Sequence, residues 1–187
     1  MRRRLFYTLF ILMLFGVGIL AELSKLPRPF TFDENGNYTG FHDIPENYTV
    51  EQARQDGCVI HDSLHHPEID ARQDPIWKKF VEKSTKGQNA SVRIMFLFQE
   101  DVEPTFQDVF FQDGSYCAFK SSAHLDNQCK RRNFPYLLER SGRLPNASRD
   151  GSVVVLSLEE KDYTEICMDC FFSADAYTPD KYVLIYL

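Results

Sequence analysis

The densest set of side chains able to do chemistry lies between positions 61 and 70, where His61, Asp62, His65, His66, Glu68 and Asp70 fall within ten residues. Imidazole and carboxylate together suit zinc or a similar divalent ion. A metal site here would use His61, His65, His66 and Glu68, with Glu68 free to act as the base of a metal-dependent hydrolase. For His61 and His65 to share a face, the segment would have to be helical. Pro67 disfavours helix at His66, and a polar stretch joining a strand to a helix is the ordinary composition of a loop. The solvated loop is therefore the first reading and the metal site the second.

Cys167 and Cys170 form the other chemical pair, with the spacing of redox-active dithiols. A working dithiol needs an electropositive setting to lower a thiol pKa. Asp162, Glu165 and Asp169 supply the opposite, and no thioredoxin-like strand–helix–strand pattern precedes the pair. A structural disulfide or two buried thiols account for it better than catalysis. One CxxC without a second is also two ligands short of a zinc site. The remaining cysteines are Cys58, Cys117 and Cys129, so the total of five is odd and at most two intrachain bridges can form.

Asn37, Asn47, Asn89 and Asn146 each head an N-x-Ser/Thr triplet. They are glycan acceptors in a eukaryotic secretory pathway and turn-forming residues elsewhere, and the latter is the reading preferred. The sequence contains no glycine-rich phosphate loop, no G-x-S-x-G elbow and no H-E-x-x-H. No catalytic set and no cofactor are assigned.

The elements that must position these groups are legible in part. Thr49 and Gln52 make a capping-box pattern ahead of a short helix that Gly57 ends, and Cys58 to Ile60 reads as a strand. Asp74 to Ser84 places Ile76, Trp77, Phe80 and Val81 on one helical face, with Asp74 as cap and Pro75 at the first helical position. Ser91 to Phe98 reads as a buried strand. Phe106 to Phe111 and Tyr116 to Phe119 flank Asp113-Gly114, which predicts a hairpin pairing Phe111 with Tyr116 and Phe110 with Cys117. Further strands are expected at Phe134 to Glu139, Ser152 to Leu158 and Lys181 to Leu187, with turn-rich sequence from Ser141 to Gly151. Asp162 to Cys170 stays open between a short helix and irregular structure. The sum is an α+β fold, a mostly antiparallel sheet of five or six strands with two helices packed on it.

Arg2, Arg3 and Arg4 precede 17 uncharged, mostly apolar residues from Leu5 to Ala21. A basic region followed by an apolar run is the pattern of an export signal. Its length is long for a cleaved signal and at the lower limit for a membrane span. Ala21 supplies half of a small-x-small cleavage site, so a cleaved signal is read slightly ahead of a signal anchor. In both cases the arginines stay inside and the rest is extracytoplasmic, secreted or held by residues 5–21 alone. Without residues 1–21 the chain has 18 Lys and Arg against 27 Asp and Glu, a net charge of −9. That balance argues against nucleic-acid binding, which draws on clustered basic residues. Residues 22–47, polar and broken by proline, read as a spacer, and 48–187 as a single domain.

Four stretches taken together carry a resemblance: YTVEQARQDGCVI from Tyr48 to Ile60, Trp77 with FVEKSTKGQNASVRI from Phe80 to Ile94, DVFFQDGSY from Asp108 to Tyr116, and YLLERSGRLPNAS from Tyr136 to Ser148. They resemble an uncharacterised exported domain-of-unknown-function family of Gram-positive, largely gut-dwelling bacteria. The resemblance implies a compact α+β domain outside the cytoplasm and implies no activity. Lipid-anchored members carry a cysteine just after the apolar run; here the first cysteine is Cys58. The function expected is a non-enzymatic cell-envelope or binding module with a protein or envelope partner, and the alternative is the hydrolase built on His61, His65 and His66.

Overall fold

The computed structural model describes residues 28–66, 69–98, 103–121, 130–145, 147–172, 181–185 and 187. The apolar segment at 5–21, Glu68, Cys129 and Asn146 lie outside them. Among the described residues no helix is long and apolar enough to cross a membrane.

Among the described residues seven strands and three short α-helices make an α+β fold. In chain order these are α1 (Val50–Gln55), β1 (Val59–Asp62), a 3₁₀ turn (Ala71–Gln73), α2 (Pro75–Thr85), β2 (Ala90–Leu97), β3 (Thr105–Gln112), β4 (Ser115–Lys120), β5 (Tyr136–Gly142), β6 (Gly151–Ser157), α3 (Tyr163–Cys167) with a π turn (Met168–Phe172), and β7 (Tyr182–Ile185). The strands divide into two sheets, β1-β2-β3-β4 and β5-β6-β7. The single sheet of five or six strands and the pair of helices expected from the sequence are corrected to this arrangement. β1 runs parallel to β2, because the chain between them travels back through the 3₁₀ turn and α2; every other pairing is antiparallel.

Local signals account for the ends of the elements. The Thr49 hydroxyl accepts from the Gln52 amide and the Gln52 side chain returns a bond to the Thr49 amide, closing the capping box of α1. Asp74 accepts from the Ile76 amide at 2.7 Å, with Pro75 opening α2. A second capping box, Asp162 with Glu165, starts α3 in the stretch left open by sequence. Asp113 and Gly114 both have positive φ, the conformation a two-residue hairpin loop needs, and Phe111 faces Tyr116 as expected.

Two sheets leave the core in layers. One face of the first sheet, with Val92, Ile94, Phe96, Val109 and Phe111, packs on Trp77 and Phe80 of α2 and on Val154, Leu156 and Ile185 of the second sheet. The far face of the second sheet, with Leu138 and Val155, is closed by Ile166 and Cys170. β6 is thus buried on both faces, which explains its unbroken apolar run.

The outer face of the first sheet is covered by residues whose composition reads as a spacer. Phe30, Phe32, Tyr38 and Phe41 pack on Phe110, Cys117 and Phe119, while Ile44 and Tyr48 join Met95 and Phe106. Tyr38 stacks on Phe119 at 4.2 Å between ring centroids. Packed chain therefore begins by Arg28, whose amide donates to Ser91 and whose guanidinium donates to the Asp56 carbonyl. Single aromatics set among polar residues have no helical or strand period, so the pattern that marks a core element is absent from this strap.

Candidate functional site

The histidine loop leaves β1 where the parallel pair ends. His61 and Asp62 are the last residues of β1, in register with Phe96 and Leu97 of β2. Asp62 then organises the turn: its carboxylate accepts from the amides of Leu64 and His65 and stands 3.2 Å from His65 Nδ1. Burial opposes charge on Asp62, but the bonds from the His65 amide and ring outweigh it and hold the carboxyl below its ordinary value. Ser63 ties the turn to β2 by donating to the Leu97 carbonyl at 3.1 Å.

His61 itself is half-buried beside two aromatic rings. Its ring centroid is 6.0 Å from Phe96 and 6.4 Å from Phe98, and those two rings stack 5.6 Å apart. Its Nδ1 is buried and meets no hydrogen-bond partner among the described residues. Burial pushes the imidazole pKa below 6.5 against the pull of the Asp62 charge, so the ring is neutral at pH 7.

His65 and His66 are exposed in the loop, and His65 is engaged with Asp62. Among the described residues no three His, Cys, Asp or Glu side chains come together as a metal-holding group. Glu68, the fourth ligand expected, is outside those residues. Asp70 turns away to cap the 3₁₀ turn and to pair with Arg72 at 2.7 Å.

The segments that leave this end of β1 and β2 also carry exposed apolar side chains. Phe98 is 45 % exposed, Leu64 36 % and Ile69 58 %. Phe98 follows the last residue of β2, Leu64 follows β1 by two residues, and the Ile69 amide is bonded to the His66 carbonyl across the same turn. Large apolar side chains left exposed at one place are more informative than the same residues scattered singly.

Cys167 and Cys170 lie elsewhere, at the end of α3 and in the π turn, both buried and both free thiols. Burial, with the Asp169 and Cys167 charges adding to it, pushes the Cys170 thiol up to about 11. That is the inert end of cysteine chemistry at neutral pH. Asp169, between the two, accepts from Lys161 Nζ and from Tyr182 Oη, each at 2.6 Å. Cys58 and Cys117 are also buried free thiols, and burial pushes Cys117 up to about 12.

One polar constellation escaped the sequence reading. Arg93 of β2 and Asp108 of β3 face each other under the strap, joined by Nε–Oδ1 and Nη2–Oδ2 bonds of 2.6 Å. The Tyr38 hydroxyl donates to the same carboxylate at 2.6 Å, and Arg93 also donates to the Gly40 carbonyl. Burial and the Asp108 carboxylate both raise the Tyr38 hydroxyl pKa, so it stays protonated and donating. Arg93 resists the opposing effect of burial through its bonds to Asp108, which hold its proton more firmly still. The signal was a lone charge in the middle of each of two apolar strands, SVRIMF and FQDVFF.

No family model, no curated protein and no solved structure matches this chain.

Proposed function

We propose that the protein is an exported binding module of the cell envelope, non-enzymatic, whose contact surface is the end of the first sheet formed by Phe98, Leu64 and Ile69. The observation that carries this reading is the exposed Phe98 ring, stacked on buried Phe96 and therefore held rigid while half of it faces solvent. A preorganised aromatic loses little conformational freedom on binding, which is why such residues anchor interfaces. His61, neutral and half-buried, lies beside the Phe98 ring at 6.4 Å between centroids. The basic and apolar residues ahead of Ala21 support delivery of this surface outside the cytoplasm.

The test is site-specific photocrosslinking in intact cells, with a photoreactive phenylalanine analogue at position 98 and, as control, at the exposed Leu158. A discrete adduct from 98 that is absent from 158 is expected. No adduct, or the same adducts from both sites, overturns the surface assignment. A reporter active only outside the cytoplasm, fused after Leu187, tests export separately, since an expressed but inactive fusion removes the premise.

A second reading has one observation in its favour. The Nδ1 of His61, unpaired among the described residues, is a free ligand atom for a divalent ion, and a hydrolase built on it would add His65 and His66 from the exposed loop with Glu68 as base. Stoichiometric zinc, manganese or iron in the purified protein is its expected mark; absence of metal together with a melting temperature unmoved by added ions ends it.

A further inference from the structure

We propose that Cys167 and Cys170 close a reversible intrachain disulfide, and that closing it rewinds the π turn and loosens β7. Three observations converge. The two thiols sit three residues apart, one ending α3 and one inside the π turn, and both are buried, Cys170 in the cluster that seals the far face of the second sheet. The turn between them has the winding in which residues three apart are rotated away from each other; α-helical winding puts such residues on one face, and 3₁₀ winding eclipses them. The residue between the cysteines, Asp169, is bonded both to Lys161, just ahead of α3, and to Tyr182, the first residue of β7.

The mechanical consequence follows from those contacts. To bring the sulfurs into bonding distance, the turn must tighten, and tightening carries Asp169 away from one or both partners. Besides the Tyr182 bond to Asp169, the described residues hold the start of β7 through the Leu158 amide on the Lys181 carbonyl and through the packing of Tyr182 with Leu138, Val155, Ile166 and Cys170, so a turn that shifts Cys170 disturbs the packing and the bond together. β7 pairs with β6 over four residues, and Gln107 of β3 donates to the Leu184 carbonyl at 2.9 Å, towards its other end. Release of the Tyr182 hydroxyl therefore frays the strand from Tyr182 inwards.

The oxidant is a low-molecular-weight disulfide of the glutathione class. One cysteine thiolate attacks a sulfur of that disulfide, forming a mixed disulfide and expelling one thiolate. The second cysteine thiolate then attacks the cysteine sulfur of the mixed disulfide and expels the other. Overall, two protein thiols and one disulfide give one protein disulfide and two free small thiols, with the two protein protons ending on the products. Because both thiols are buried, the reaction proceeds through local opening of the turn and is slow in the native protein.

The experiment uses the full chain equilibrated over a range of oxidised to reduced glutathione ratios, followed by intact mass, peptide mapping and amide hydrogen exchange. The expected result is a 167–170 link that appears as the ratio rises and reverses as it falls, with exchange at Tyr182 to Ile185 faster in the oxidised form by roughly tenfold or more. Asp169→Ala, which keeps both cysteines and removes the acceptor, is expected to form the link and to lose most of that difference, because its β7 is already released when reduced. The proposal is overturned if the native chain forms no 167–170 link while the urea-unfolded chain does. It is equally overturned if the link forms and β7 exchange is unchanged.

Discussion

Arg93 and Asp108 stand directly opposite each other on β2 and β3, bound through two 2.6 Å contacts, with 5 % and 0 % of their side chains exposed. Two charges are taken out of water here, and the desolvation is offset only because Tyr38 and the Gly40 carbonyl complete their hydrogen bonds. The strap is thus pinned to the sheet by a polar lock inside an aromatic cluster.

Breaking one side of this lock leaves a buried charge without its partner. Arg93→Met or Asp108→Asn is expected to cost about 3–5 kcal/mol in urea unfolding. The double change Arg93→Met with Asp108→Leu is expected to recover much of that loss. Tyr38→Phe removes one bond to a charged acceptor and should cost about 1.5–3 kcal/mol.

Shortening the chain separates the strap from a spacer. A protein beginning at Arg28 keeps Phe30, Phe32, Tyr38 and Phe41 over the sheet. One beginning at Tyr48 lacks Phe30, Phe32, Tyr38 and Phe41 and uncovers Cys117. A thiol reagent under native conditions should modify Cys117 rapidly in the shorter protein and slowly in the longer one. Equal rates would show that the strap does not protect the sheet.

The stability of the histidine end should depend on pH with a definite sign. His61 has a folded-state pKa below its ordinary 6.5, so between those two values the unfolded chain binds more protons than the folded one. Stability is therefore full above about pH 6.5 and falls as the pH drops through the folded value. His61→Asn should flatten this slope in melting temperatures taken between pH 5 and pH 7.5.

Trp77 donates from Nε1 to Glu139 Oε1 at 2.6 Å, joining α2 to β5. As the single tryptophan, nearly wholly buried, it reports on the packing between the layers. Glu139→Leu should leave the indole N–H unpaired, cost about 1–3 kcal/mol and shift the fluorescence spectrum. Trp77→Ala should cost about 3–5 kcal/mol by leaving a cavity.

The sequence by itself determined the local pieces. The capping box of α1, the Pro75 start of α2, the Asp113-Gly114 hairpin with its register, and the apolar strands all follow from short-range chemistry: a side chain reaching an amide three residues away, or a turn whose twist suits its strands. The histidine loop was likewise legible as a loop, because Pro67 and the polar residues around it oppose helix. Tertiary structure decided everything that needed knowledge of a distant partner. Alternation says which face of a strand is apolar but not which sheet will cover it, so the split into two sheets, the parallel pairing of β1 with β2 and the burial of Tyr38 had no local signature. The same holds for the candidate site. Phe98 reads as one more strand aromatic; it becomes a candidate for the proposed contact surface only because β2 ends at Leu97 and leaves its ring stacked on Phe96 and 45 % exposed.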